Sequence, residues 1–110
     1  MPSLSQITKA HITKLPEVVA AVVTDRMGML LDSSGEIDGE AAGAVNAVSA
    51  EALAKTGEAL GLGPLQRASI AGPTKVCVIA LDDEEIVGVY VDPKKPLASF
   101  ETKLDAVLRR

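Results

Sequence analysis

Hydrophobic positions along this chain change their spacing several times, and each change marks the boundary of an expected element. In the first segment, Ser3 to Leu15, the residues Leu4, Ile7, His11 and Leu15 fall near one face at helical spacing, and Pro16 ends the run, which predicts a short amphipathic helix. Val18 through Val23 then follow without alternation inside Glu17 to Thr24, as in a strand covered on both faces. Asp25-Arg26-Met27-Gly28 interrupts the apolar residues with a turn composition. Met29 to Asp32 resumes them, so a tight hairpin is expected, with Ser33-Ser34-Gly35 closing the second strand.

From Asp38, a suitable N-cap, to Gly61, a suitable C-terminal stop, the Ala-rich sequence is long enough for about six helical turns. Three more strands are expected at Leu65 to Ala71, Lys75 to Leu81 and Glu85 to Val91, parted by Gly72-Pro73 and by Asp82-Asp83-Glu84. The last two are nearly continuous in apolar residues, whereas Gln66, Arg67 and Ser69 mark the first as an edge strand. Asp92-Pro93-Lys94-Lys95-Pro96 leads into a C-terminal helix, Leu97 to Leu108, with Leu97, Phe100, Leu104 and Val107 or Leu108 at helical spacing. The order is helix, two strands, long helix, three strands, helix. It predicts a single α/β domain of the α+β kind over residues 1–110, with antiparallel neighbours except where the long helix crosses over, and helices on both faces of the sheet.

Projected at about 100° per residue, the long helix has two apolar sides. Ala41, Val45, Val48, Ala52 and Ala59, with Leu53 and Leu60 on the shoulder, form a broad stripe expected to cover the sheet. Gly43, Ala50 and Gly57 recur every seven residues and, flanked by Asn46, Ala47 and Ala54, form a lane of small side chains. Glu51, Lys55 and Glu58 make the one clear polar ridge. Interior glycines each cost about 1 kcal/mol relative to Ala, and an outer helix of a lone chain should carry a wide charged face, so the lane is expected to meet the same helix of a second copy. A contact burying about 500 Å² of apolar surface would gain about 12 kcal/mol, comparable with association costs of about 4 to 15 kcal/mol. The edge strand, through Arg67 and Ser69, offers a second contact by antiparallel pairing with its symmetry mate. The alternative is that the small residues permit tight packing of helix on sheet within one chain.

Composition narrows the function. With 47 % apolar and 24 % charged residues in 110, the chain can bury a core. Tyr90 and Phe100 are too few aromatic residues for stacking on single-stranded nucleic acid, and a net charge of −4 gives no general affinity for polyanions. Neither nucleic acid nor a membrane surface is therefore an expected partner. The longest early apolar run, Val18 to Val23, falls far short of the roughly 20 residues of a membrane span, and Met-Pro-Ser-Leu-Ser-Gln has no signal core. One Cys and one His supply no disulfide framework and no structural zinc set. A lone Cys suits a reducing compartment, so the cytoplasm is expected.

No catalytic constellation emerges, and no cofactor or metal is expected. Ala71-Gly72-Pro73-Thr74-Lys75 has one Gly and a Pro where a phosphate loop needs a nest of amides, and Gly61-Leu62-Gly63 precedes a strand rather than opening a helix. Cys77 reads as a small core residue and His11 as a boundary residue. Asp82-Asp83-Glu84-Glu85 lacks the spacing of a calcium loop and reads as a solvated turn. Lys94, Lys95, Lys103, Arg109 and Arg110 make the C-terminal region basic, and Arg26 and Arg67 are the residues to test as arginine fingers should a partner hydrolyse GTP.

Pro16-Glu17-Val18-Val19-Ala20-Ala21-Val22-Val23, the turn Asp25-Arg26-Met27-Gly28, the Ala-rich helix ending at Gly61-Leu62-Gly63, and the late strands followed by Asp92-Pro93 resemble the roadblock/dynein light chain family over about Leu15 to Arg109. The resemblance implies a profilin- and longin-like architecture, a five-stranded antiparallel sheet between one long helix on one face and terminal helices on the other. It also implies a homodimer or heterodimer joining long helices and edge strands. Members of that family regulate or scaffold small Ras-like GTPases, and some are light chains of dynein; bacterial polarity regulators among them stimulate GTP hydrolysis as dimers.

The expected activity is thus that of a dimeric, non-catalytic regulator or scaffold of a small Ras-like GTPase. Gly43, Asn46, Ala47, Ala50, Ala54, Gly57, Arg67 and Ser69 are the expected dimer contacts, and Glu51, Lys55 and Glu58 the expected partner contacts. The alternative is a purely structural adaptor of a motor, kinase or polarity complex. An enzyme acting on a small molecule ranks last, because no convergent set of titratable groups is visible.

Overall fold

Ser3 opens the first helix with a capping box: its Oγ accepts a hydrogen bond from the Gln6 amide at 3.2 Å, and the Gln6 side chain accepts one from the Ser3 amide at 2.9 Å. The computed structural model describes residues 3–108. Helix α1 spans Leu4–Ala10 and then tightens into a 3-10 turn at Ile12–Lys14. The tightening rotates the face expected from sequence. Leu4, Ile7 and Ile12 are buried, whereas His11, placed on that face by an uninterrupted helical period, is exposed.

Five strands, β1 (Val18–Asp25), β2 (Leu30–Gly35), β3 (Arg67–Ala71), β4 (Val76–Leu81) and β5 (Glu85–Val91), form one sheet in the order β2-β1-β5-β4-β3, with every neighbouring pair antiparallel. The central strands β1, β5 and β4 are those whose sequences run continuously apolar, because both of their faces are covered. Helix α2 (Gly39–Ala59) carries the chain from one edge of the sheet to the other, and α3 (Leu97–Leu108) returns on the opposite face beside α1. This is the five-stranded, helix-covered arrangement that the resemblance implied.

The β1–β2 turn is built by one carboxylate. Asp25 Oδ1 accepts hydrogen bonds from the amides of Met27 and Met29, each at 2.9 Å, and Gly28 adopts φ +93°. Asp38 caps α2 by accepting from the Ala41 amide at 3.2 Å. At the other end Gly61, at φ +72°, lets the Leu62 amide reach back to the Gly57 carbonyl at 2.9 Å.

The two faces of the sheet differ in substance. Toward α1 and α3 the core includes Ile12, Val78, Val87, Val89, Phe100 and Leu104, each almost wholly buried. Toward α2 it is smaller: Ala50, Ile79 and Ile86, with Ala47, Cys77 and Leu81 at the margin and the buried Val22 and Thr24 under Gly43.

The orientation of α2 corrects the sequence reading. Gly43, Asn46, Ala50 and Gly57 are the buried positions, while Ala41, Val45, Val48, Ala52 and Ala59 face outward. A Cβ at Gly43 would stand 2.6 Å from Thr24 Cγ2, and a Cβ at Gly88 would collide with the Asn46 amide. The small lane therefore exists because helix and sheet approach closely, the alternative reading of those residues. The Val and Ile side chains of the sheet already supply the bulk.

Candidate functional site

Two surfaces remain for a partner, one apolar and one polar, on adjoining flanks of α2. The apolar one starts from Val45, 62 % exposed, and Val48, 70 % exposed, which with Ala41 and Ala52 make a stripe at helical spacing. Leu60 and Leu62, past the helix end, are also exposed. Beyond α2 the sheet is bare: Ile70 on β3 is half exposed, with the half-buried Cys77 as its cross-strand partner.

A small polar group lies under this flank. The Tyr90 hydroxyl donates to Asn46 Oδ1 at 3.2 Å, and Cys77 faces Tyr90 across the β4–β5 ladder. Burial pushes the Cys77 thiol above its ordinary pKa, and burial together with the neighbouring thiol pushes the Tyr90 phenol up as well. The thiol is thus neutral, a packing residue and not an activated nucleophile.

The polar surface is the ridge expected from sequence. Glu51 and Lys55 form an i,i+4 pair at 3.9 Å with both side chains about three-quarters exposed, and Glu58 is exposed beside them. Such a pair adds little to stability and leaves the charges open to a partner.

The sheet has two unlike edges. On β2 the Asp32 carboxylate accepts the Ser33 amide at 2.9 Å, and the β1–β2 register shifts between Val23 and Thr24, two devices that blunt an edge. On β3, Ser69 and Ile70 are exposed and one row of ladder groups has no neighbouring strand. The edge position expected for the first of the late strands is found.

Arg26 and Arg67 are engaged within the chain. Arg26 Nη1 donates to the Asp82 carbonyl at 2.6 Å, and Arg67 pairs with Asp105 at 3.1 Å. Both line a groove of about 810 Å³ between residues 64–66 and the β4–β5 turn. That turn is organised by Asp82, whose Oδ1 accepts the amides of Glu84 and Glu85 at 2.8 Å each, while Glu85 accepts the Ser5 amide at 3.1 Å and so ties α1 to β5.

Of the basic C-terminal residues, Lys103 donates to the buried Glu17 carboxylate at 2.8 Å, and Lys94 and Lys95 are exposed. The hydrogen bond from Lys103 holds the Glu17 carboxyl below its ordinary value, against the opposing effect of burial. Arg109 and Arg110 lie outside the described residues. Among the described residues no three His, Cys, Asp or Glu side chains are grouped to hold a metal ion, and no helix is long and apolar enough to cross a membrane.

The expected dimer contacts are thereby divided. Gly43, Asn46, Ala50 and Gly57 are buried, Gly57 against its own C-terminal loop, and Ala47 and Ala54 are half-buried, with Ala54 on the rim of the groove. Ser69 lies on the open edge and Arg67 at its start. Sequence reasoning missed Val45 and Val48 as outward residues, and it missed Met27 and Met29, which the Asp25 turn thrusts into solvent at 93 % and 69 % exposure.

The layered sheet and the single crossover define an α+β fold of the roadblock and profilin kind. Over 98 % of its length the chain superposes on 93 % of a Roadblock/LC7 domain from Streptomyces avermitilis, with a TM-score of 0.79 and 11 % sequence identity. It is similar to MglB from Myxococcus xanthus (TM-score 0.74, 15 % identity, 92 % of this chain and 81 % of that one) and, more distantly, to profilin II from Acanthamoeba castellanii (TM-score 0.56, 12 % identity, 83 % and 82 %). No protein-family model and no curated protein sequence matches the chain.

Proposed function

We propose that the chain works in the cytoplasm as a paired, non-catalytic platform that binds a small Ras-like GTPase and regulates it by positioning the GTPase's own catalytic loops. One observation carries the reading: Val45 and Val48 of α2 face solvent, and β3 is an open edge of the same sheet. A second copy laid along Val45, Val48 and Ala52, with its β3 beside this β3, covers the stripe and the bare sheet and satisfies both edges in one contact. The polar flank with Glu51, Lys55 and Glu58 stays open after pairing and is the partner surface. Similarity to roadblock domains and to MglB supports both parts, and one MglB structure carries a tetrameric arrangement.

A second reading, a purely structural adaptor, is favoured by the engagement of Arg26 and Arg67 with acceptors of their own chain, which leaves neither extended as a finger. Single-turnover GTP hydrolysis by the captured GTPase, with and without the protein, separates the two. A changed rate supports the regulator, and an unchanged rate with retained binding supports the adaptor. A platform selective for one nucleotide state must also bind GTP-loaded and GDP-loaded partner with different affinity.

A further inference from the structure

The helix that would carry the pairing is poorly held by its own chain. Its buried positions contribute glycine, alanine and one amide, and the core beneath it is Ala50, Ile79 and Ile86 with Ala47, Cys77 and Leu81 at the margin and Val22 and Thr24 of β1 under Gly43. Asn46 is 4 % exposed and gains one hydrogen bond, from Tyr90, while its Nδ2 has no partner, so desolvation of the amide opposes docking. Val45 and Val48, which could have supplied apolar burial, look away from the sheet, and two interior glycines weaken the helix itself. On the other face Phe100 and Leu104, with Ile12, are sealed into a continuous core.

From this imbalance we infer that α2 is locked onto the sheet by assembly: in the lone chain it opens as a local unit while α1, α3 and the central strands stay folded. The inference rests on the pairing proposed above and concerns what pairing does to the chain. A second copy covering the outer stripe stabilises only the docked helix, so binding and docking are one linked equilibrium. The opened chain is then the species through which one copy is exchanged for another. The occupant is a second copy because the chain leaves both an apolar α2 stripe and an unpaired β3 edge with a half-exposed Ile70, two features that pairing about a two-fold axis can cover.

Hydrogen–deuterium exchange read by mass spectrometry on the full chain across a dilution series, with sedimentation on the same samples, tests this. In monomeric samples, residues 39–59 are expected to exchange at least about tenfold faster than in paired ones, while residues 85–91 and 97–108 change less than about threefold. Val48→Asp, monomeric at high concentration, should reproduce the fast pattern and decides the matter if the native pair does not dissociate on dilution. Should that variant fail to fold, the dilution series decides alone. Monomers whose α2 is as protected as in the pair overturn the inference and leave pairing intact. Equal loss of protection over all three segments overturns it as well, because opening would then be global. A chain that sediments as a monomer at every concentration overturns the pairing beneath it.

Discussion

Replacing Val48 by Asp separates the two sides of α2. The Val48 side chain is 70 % exposed in the lone chain, so the cost to folding is within about 0.5 kcal/mol, as for other surface substitutions. In the pair the accounting differs. Full burial of a valine side chain is worth about 1.5 kcal/mol, so covering the exposed part returns about 1 kcal/mol per copy and about 2 kcal/mol per two-fold pair. Two aspartates brought to about 5 Å across the axis add about 3 kcal/mol of repulsion at an effective dielectric constant of about 20. The sum, about 5 kcal/mol, raises Kd by roughly three to four orders of magnitude.

Sedimentation equilibrium at micromolar concentration should show the native chain as a pair and Val48→Asp as a species of about the 11.4 kDa chain mass, with a melting temperature that no longer depends on concentration. Ala50→Glu is the contrast. Ala50 is 1 % exposed and packs on Ile79 and Ile86, so a carboxylate there has neither room nor water, and the variant should lose the docked α2 helix and its helical signal and not merely dissociate. A Val48→Asp chain that pairs as tightly as the native one, or an Ala50→Glu chain that melts normally, refutes the assignment of the two faces.

Three further outcomes are expected. Lys103→Met removes the donor that lowers the Glu17 pKa. That pair stabilises the fold above the unfolded carboxyl value of 4.5 and ceases to do so as pH falls through the lower folded value, so the gap in melting temperature between native and variant chains should be present near neutral pH and narrow as pH falls below 4.5. Gly88→Ala drives a methyl group into the Asn46 amide and should cost about 1 to 3 kcal/mol in chemical denaturation. If the proposed function holds, Glu51→Lys with Lys55→Glu and Glu58→Lys should slow association with a GTPase partner in a salt-dependent way and leave sedimentation of the proposed pair unchanged; an unaltered on-rate places the partner surface elsewhere.

Much of the fold was legible because local signals agreed. Val18 to Val23 reads as a two-sided strand, Asp25 to Gly28 as its turn, and Asp38 and Gly61 as the limits of α2, and each occupies that role. The face of α2 was misread because its larger aliphatic residues were taken as the buried ones. The informative signals were subtler: Gly88, set in the middle of an otherwise apolar strand, marks a close backbone approach, and Asn46 is the side chain that comes down on it. His11 was misplaced because a helical period was carried through a 3-10 turn. The ties Arg67–Asp105 and Glu17–Lys103 join residues 38 and 86 positions apart, and no local pattern announces such a pair.

The unlike edges of the sheet bear on why assembly would stop at a closed pair. A chain with two open edges can add copies at both ends, whereas one whose second edge is blunted can only pair its open edge with another like it. Here Asp32 takes up the Ser33 amide on β2, and the register shift bends that strand, while β3 has no such device. In the proposed pair, contact through β3 would join two five-stranded sheets into one with blunted strands at both outer edges. A two-fold axis there would repeat the Glu51, Lys55 and Glu58 ridge, so that the pair would present two related charged flanks. Substituting Asp32 by Ala would remove the cap from β2; concentration-dependent growth beyond a pair in that variant, absent from the native chain, is the expected result, and an unchanged pair would show that the bend in β2 suffices alone.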